Sequence, residues 1–520
     1  MTQARPTSQA KRGLSILDAI RDPKVFAPFF QGASWDAWRA FLAALFALPM
    51  TEAQLAAYRQ CTGRTSPPDK PLFEAWLVCG RRAGKSFMLA VVAVFLATFK
   101  DWRRYLGPGE VGTVMIIAND RRQARVILRY VKGLLEGTPM LKRLVIADRA
   151  EGVELSNRIA IEVHTASFRA IRGYSVVAGL LDEVAIWRSD ESSDPDAEIL
   201  AALRPCMSNV PGSMLLAASS PYSRRGILWN AYQKHFGKDG SPVLVWQAAT
   251  RVMNANVPQA TIDTALAEDP ARYSAEYLAQ FRDDIAAFVS REAVEACVSQ
   301  GVFERPPEPH IAYEAFADPS GGSSDAFTLA IGHKDRTDRV ILDCLREVRA
   351  PFSPSEAVAE LAGVLASYKV GLVVGDKYAG MWPTDAFNKF GIAYQPSPKP
   401  KSDLYVSLLP LINSGTIDLL DDKHLFNQLI GLERRTARSG KDSIDHAPGA
   451  HDDVANAVAG LGHMLSIDPE DWLAHQEVSL VGPQFFVDGQ EWPPRKQTFD
   501  ELLRAAKADP RNQHLLGDKP

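Results

Sequence analysis

The sequence predicts an α/β protein of several domains, the first built on a mainly parallel sheet. Three observations carry this. The chain has 520 residues, more than one core ordinarily fills at about 150 residues per domain. From Phe73 to about Ala249, short apolar, β-rich runs alternate with helical stretches, the pattern of βαβ units. A second alternating series begins at Ile311, after the cluster Pro306, Pro307 and Pro309. The expected organisation is a helical N-terminal region (1–54), a first α/β domain (55–250), a helical linker (251–309), a second α/β domain (310–467) and a loosely ordered tail (468–520).

In the first domain the strands fall at Ala75–Cys79, Val111–Ala118, Ile159–His164, Val176–Leu181, Met214–Ala218 and Val243–Ala248. Each is a short apolar run, as strands buried on both faces of a parallel sheet should be. Residues 251–309 turn polar and helical, with Pro258 and Pro270 as breakers. In the second domain the strands are Tyr313–Ala317, Phe327–Gly332, Arg339–Cys344 and Val370–Gly375. Helices follow near Ser355–Tyr368, Leu404–Ser414 and Asp453–Leu465. The tail carries Pro483, Pro493, Pro494 and a charged end.

Composition excludes several classes. Hydrophobic residues at 46% and charged residues at 23% rule out a disordered or fibrous chain. A net charge of −4 argues against coating nucleic acid by overall charge, so such contact needs local basic patches, with Arg121–Arg122, Lys399 with Lys401, and Arg434, Arg435, Arg438 and Lys441 as candidates. Five scattered cysteines without a CxxC pair fit neither a disulfide framework nor a structural zinc site, and point to a reducing cytoplasm. His446 and His451, without cysteine partners, do not make a zinc set either. Charges at Asp18, Arg21, Asp22 and Lys24 interrupt the N-terminus where a signal peptide would be apolar. Phe87–Phe99, the most apolar run, is shorter than the ~20 residues of a membrane span and reads as a buried helix.

The stretch Cys79-Gly80-Arg81-Arg82-Ala83-Gly84-Lys85-Ser86 runs from a strand through a Gly-containing loop into a helix. That order supplies what a nucleotide phosphate needs: backbone N–H groups in a tight turn, a helix N-terminus, a lysine for the terminal phosphates and a hydroxyl for Mg²⁺. It is a variant phosphate loop, since Cys79 stands where GxxxxGK[ST] begins with Gly. Arg81 and Arg82 are candidates for a cis arginine finger. Val176–Leu181 ends in Asp182, suited to hold Mg²⁺, and Glu183, suited to orient or deprotonate the attacking water. Ser219-Ser220, at the end of a further apolar strand, are candidates for sensing the γ-phosphate and coupling hydrolysis to motion.

The second domain carries separated acids. Asp318 and Asp376 end strands, and Asp452-Asp453 open a small-residue helix. Acids brought together at one sheet edge are what two-metal phosphodiester hydrolysis requires, because Mg²⁺ and Mn²⁺ take oxygen ligands.

In this order, the motifs resemble the large terminase subunit of tailed bacteriophages over roughly residues 55–466, and Asp269–Glu276 with Gln280-Phe281 also resembles that family's linker. The resemblance implies a P-loop ATPase that pumps double-stranded DNA into a procapsid and an RNase H-like endonuclease that cuts the concatemer. It assigns ATP contacts to Gly80–Ser86 and Asp182, the catalytic carboxylate to Glu183, and metal ligation to Asp318, Asp376 and Asp453, with Asp452 as a substitute. Arg121 and Arg122 become candidates for a finger reaching a neighbouring subunit. The implied cofactors are ATP and Mg²⁺, with Mn²⁺ an alternative at the nuclease. The implied partners are the portal protein, the small terminase subunit and further copies in a ring, with no membrane. The implied location is the host cytoplasm, with transient docking on the procapsid and absence from the mature virion. The competing readings are a helicase-like ATPase–nuclease of DNA repair and a catalytically inactive virion structural protein.

Overall fold

Strand by strand, the alternation of the first domain becomes an eight-stranded sheet in the computed structural model, which describes residues 13–166, 171–187, 194–323, 325–376, 382–436 and 442–467. The strands are β1 (Glu74–Cys79), β2 (Gly112–Ala118), β3 (Val145–Arg149), β4 (Gly152–Leu155), β5 (Ile159–Thr165), β6 (Ser175–Asp182), β7 (Met214–Ser219) and β8 (Val243–Ala248). Their order is β3-β4-β5-β2-β6-β7-β1-β8. All pairs from β5 to β8 are parallel, and β3, β4 and β5 pair antiparallel at one edge. This order inserts β7 between β1, which feeds the phosphate loop, and β6, which ends in Asp182.

Alternate side chains of these strands enter cores on both faces. Ala75, Leu77, Val114 and Ile116 join the helix Lys85–Phe99 and the N-terminal helices, whereas Trp76, Val78, Met115 and Leu181 pack with Leu203, Leu228 and Trp187 on the opposite face. Burial on both faces explains why the strands lack polar alternation. Among the described residues no helix is long and apolar enough to cross a membrane. The apolar run 87–99 belongs to a 15-residue helix docked on the sheet.

The segment expected to be a helical linker holds the helices Gln259–Glu268 and Pro270–Leu278, but also a strand, β9 (Ile285–Ala287). The stretch 285–289 is short and apolar, and β9 pairs with a distant edge in a third sheet, a tertiary pairing that local polarity does not reveal.

The second domain supplies β10 (Glu314–Asp318), β11 (Phe327–Lys334), β12 (Val340–Val348), β13 (Leu372–Gly375), β14 (Ala393–Pro396) and β15 (Ile417–Asp418), ordered β14-β13-β10-β11-β12-β15. β10, β11 and β12 are successive antiparallel neighbours, and β13 and β14 continue the sheet parallel to β10. This is the RNase H-like arrangement. β16 (Leu432–Thr436) and β17 (Asp442–His446) complete the third sheet with β9.

The chain divides into two units. Met1–His463 holds all three sheets; of Met464–Pro520, residues 464–467 are described. The expected tail, together with Arg438 and Lys441, lies outside the described residues.

Candidate nucleotide and metal sites

The phosphate loop is built where β1 ends. Gly80 sits where a Cβ would run into the Thr250 hydroxyl and come within 2.7 Å of the Tyr277 carbonyl, so only glycine allows this approach. Gly84 takes φ +99° just before the helix begins at Lys85. The loop is pinned from outside: Trp38 Nε1 donates to the Ala83 carbonyl (2.9 Å), Thr250 Oγ1 to Arg81 O (2.7 Å) and Asn254 Nδ2 to Arg82 O (2.9 Å). The buried Lys85 Nζ donates to Cys79 O (3.0 Å), Gly80 O (3.3 Å) and Ser220 Oγ (2.9 Å), and lies 3.3 Å from Glu183 Oε1.

Asp182 and Glu183 have different environments. Asp182 is fully buried, and burial, with the Glu183 charge beside it, pushes its carboxyl up to about 7 against the pull of Lys85. Ser86 Oγ (3.1 Å) and Gln123 Nε2 (3.2 Å) donate to its Oδ2, while Oδ1 is buried without a partner. An orphaned, enclosed carboxylate oxygen beside the loop's hydroxyl fits Mg²⁺. Glu183 adopts φ +53°, a left-handed conformation costing about 1 kcal/mol or more for a non-glycine residue. The turn brings its Oε2 to 3.1 Å from both Ser219 Oγ and the Ser220 N–H. The Ser-Ser pair therefore touches both Lys85 and Glu183.

Arg81 is engaged elsewhere: its guanidinium pairs with Glu276 at 2.9 Å and its N–H donates to the Glu276 carbonyl, tying the loop to the helix Pro270–Leu278. Arg82 is exposed with φ +64°. Arg121, largely exposed, lies 3.9 Å from Glu151, and Arg122 is exposed on the same helix, Arg121–Glu136. Gln123, one position further, is the residue of this helix that reaches Asp182, and no sequence motif marks it.

In the second domain the register of β10 and β13 pairs Ala317 with Gly375, so the next residues, Asp318 and Asp376, leave adjacent strand ends. A Cβ at Gly375 would meet the Tyr394 hydroxyl and lie 2.7 Å from Ala317 O, so glycine permits this closeness. Asp453 opens the helix Asp453–Ser466, fixed by the Ala326 N–H on its Oδ2 (3.2 Å) and by Thr328 Oγ1 on its carbonyl (2.7 Å). One turn on, Asn456 Nδ2 donates to Asp318 Oδ2 (2.8 Å) and lies 3.4 Å from Asp376 Oδ2. Asp318 retains some exposed surface yet is deeply enclosed. Burial holds its carboxyl well above the usual range, opposed by the Asn456 donor and reinforced by Asp453, Asp376 and Asp452. Asp453 is pushed up to about 6 by burial, opposed by the Ala326 N–H and reinforced by Asp452 and Asp325. Asp318 and Asp376 share one amide donor, and Asp318 feels the charges of Asp453, Asp376 and Asp452, which suits a divalent cation, although among the described residues the acids whose ligand atoms lie within 4.8 Å of one another are Asp445 and Asp452, with His446, and not this triad.

Asp452 is placed differently from its expected role. Its oxygens are taken by Lys401 Nζ (3.1 and 3.2 Å) and Tyr405 Oη (2.8 Å). Asp445, His446 and Asp452 bring ligand atoms within 4.8 Å of one another, but Lys401, which also donates to Asp445 at 2.9 Å, already supplies a cation there. Burial opposes the Lys401 charge; Asp452 and Asp445 outweigh it and hold the ammonium above its ordinary range. Lys401 is thus an internal ion-pair partner rather than a surface phosphate contact. Arg434 and Arg435 are likewise spent on Asp442 (3.3 Å) and Glu433 (3.2 Å). The helix Arg121–Glu136 keeps Arg121, Arg122, Arg125 and Arg129 exposed.

The two domains meet through a buried carboxylate. Glu433 on β16 is fully buried and accepts from Tyr222 Oη (2.7 Å) and from Arg225, both in the loop that follows Ser219-Ser220.

No protein-family model matches the chain, and no curated protein matches it. Among solved structures, it aligns with the large terminase of bacteriophage HK97 over 87% of this chain and 99% of that one, at 14% identity and a TM-score of 0.39. The large terminase of a thermophilic bacteriophage aligns over 84% and 100%, at 13% identity and a TM-score of 0.36. The magnesium-bound large terminase nuclease of the thermophilic phage G20c covers 34% of this chain and 96% of its own, at 20% identity and a TM-score of 0.30.

Proposed function

We propose that this chain is the large subunit of a viral DNA-packaging terminase, in which ATP hydrolysis drives double-stranded DNA into a procapsid and a metal-dependent endonuclease cuts concatemeric DNA. The observation that carries the reading is that one chain holds both sites, with the loop leaving Ser219-Ser220 beside Lys85 and Glu183 going on to hold Glu433 on β16 of the third sheet.

In the ATPase, Lys85 would leave Ser220 and Glu183 for the terminal phosphates, and Ser86 and Asp182 would hold Mg²⁺. The cation, when bound, neutralises charge on the phosphate oxygens. Glu183, released from Lys85 but kept by Ser219 and the Ser220 N–H, orients the attacking water and accepts its proton. Loss of these contacts as phosphate departs would shift the Tyr222–Arg225 loop and with it Glu433.

In the nuclease, Asp318, Asp376 and Asp453 would hold Mg²⁺ or Mn²⁺. These ions, when bound, activate a water and stabilise the leaving oxygen of a phosphodiester. Lys401 and Tyr405 hold Asp452 and so set the start of the helix that presents Asp453. Asp453→Ala is accordingly expected to remove DNA cleavage, whereas Asp452→Asn, which keeps acceptors for Lys401 and Tyr405, retains a measurable fraction; plasmid nicking by the two variants checks this.

The motor would act as a ring of copies on the portal protein, with the small terminase subunit delivering DNA, in the host cytoplasm and absent from the mature virion. A DNA grip of any sequence must come through phosphates, and the stripe Arg121, Arg122, Arg125 and Arg129 is the exposed basic surface suited to it. Duplex affinity is expected to fall steeply with salt, and Arg122→Glu with Arg125→Glu to lower the log–log slope by roughly two, about 0.9 per lost phosphate contact. Affinity titrations across salt concentrations test the proposal; a flat profile, or tight binding to a single short sequence, would contradict it.

A further inference from the structure

We infer that Asn456 stands in for the cation in the metal-free nuclease site, its amide holding Asp318 and Asp376 together until a divalent ion replaces it. This rests on the nuclease reading above and adds a residue to it. The carboxamide is 1% exposed, and its nitrogen lies 2.8 Å from Asp318 Oδ2 and 3.4 Å from Asp376 Oδ2. One neutral donor group thus bridges the two acids across adjacent strand ends.

The other half of the amide supports the assignment. Asn456 Oδ1 is buried and has no partner. A buried acceptor left unmade is unfavourable, and side-chain amides normally orient to avoid it. Here the reverse orientation would turn a carbonyl oxygen toward two carboxylates. With its nitrogen turned to both acids, the amide leaves its own acceptor unmade. The backbone N–H of Asn456 donates to the Asp452 carbonyl at 2.8 Å, so the helix register holds the side chain in place independently of the amide. A cation and this amide draw on the same Oδ2 atoms. Metal binding must displace or weaken the two N–H contacts, and their strength sets how much ion the site requires.

The test is calorimetric titration of Mn²⁺ into the nucleotide-free, full-length chain, with thermal unfolding in chelator and in saturating Mn²⁺, for wild type, Asn456→Leu and the smaller Asn456→Ala, neither of which offers the ion a ligand. Removal of the donor should tighten Mn²⁺ binding roughly tenfold, because the metal-free state alone loses charge-assisted hydrogen bonds. Both variants should unfold at lower temperature than wild type in chelator and recover most of that loss in Mn²⁺. If Leu disrupts packing, the smaller Ala variant still reports through the difference between chelator and Mn²⁺. Equal losses in chelator and in Mn²⁺ would make Asn456 a packing residue only, and weaker Mn²⁺ binding in both variants would make it a metal ligand; either overturns the inference. Absence of saturable Mn²⁺ binding that Asp376→Ala removes would instead defeat the underlying nuclease reading.

Discussion

Glu183→Gln is expected to bind ATP within about twofold of wild type while turnover falls ~10²-fold or more. The substitution keeps shape and an acceptor for Ser219 Oγ and the Ser220 N–H, both 3.1 Å from Oε2. What it removes is the charge 3.3 Å from Lys85 and the capacity to take a proton from water. None of the groups that cradle phosphate is altered, so binding and chemistry separate. Lys85→Ala should do the opposite and weaken nucleotide binding itself, since its ammonium is the buried cation of the loop. Fluorescent-nucleotide titration and phosphate release measure the two effects. Wild-type turnover by Glu183→Gln would remove Glu183 from its role and leave the left-handed turn at this position without a function.

The second large effect is expected from Asp376→Ala: divalent-metal-dependent DNA cleavage abolished, with ATP turnover within roughly twofold of wild type, because the proposed nucleotide and metal sites stand on different sheets and would hold separate ions. The fold should tolerate the change. The backbone N–H of Asp376 donates to the Ala317 carbonyl (3.2 Å) whatever the side chain, and the close approach of the strands rests on Gly375. Nicking of supercoiled plasmid in Mg²⁺ and in Mn²⁺, beside an ATPase assay of the same preparation, provides the measurement. Retained cleavage would move the nuclease away from the strand ends of β10 and β13.

Asp182, Glu183, Ser219, Ser220, Asp318 and Asp376 were legible in the sequence for one reason: each closes an apolar strand, and the C-terminal edge of a buried sheet is where α/β proteins gather chemistry. The residues that tune them were not. Gln123, Asn456, Lys401 and Tyr405 belong to no motif, and their importance arises from hydrogen bonds to acids distant in sequence. Lys401 shows the converse error. A lysine beside Lys399 reads as a surface charge, yet burial between Asp445 and Asp452 makes it structural. Among the elements, the β3–β4 hairpin escaped because the apolar run Leu144–Ala147 is short, passes straight into charged residues and is not buried as a core strand, and β9 because three residues leave no periodicity to read. The antiparallel β10–β11–β12 face is equally invisible to composition; register and order appear only in the assembled sheet.

The most direct test of the packaging reading is ATP hydrolysis by the full-length chain measured alone, with duplex DNA, and with duplex DNA plus procapsids that carry a portal. Tyr222 and Arg225 tie the loop after Ser219-Ser220 to Glu433 on β16, so on the proposed reading turnover should respond to assembly of the complete motor. The expected result is a severalfold rise that needs both DNA and the portal-bearing procapsid and is lost in Glu183→Gln. Turnover that ignores the procapsid, or that DNA ends alone bring to its maximum, would contradict packaging and leave an ATPase–nuclease of another kind.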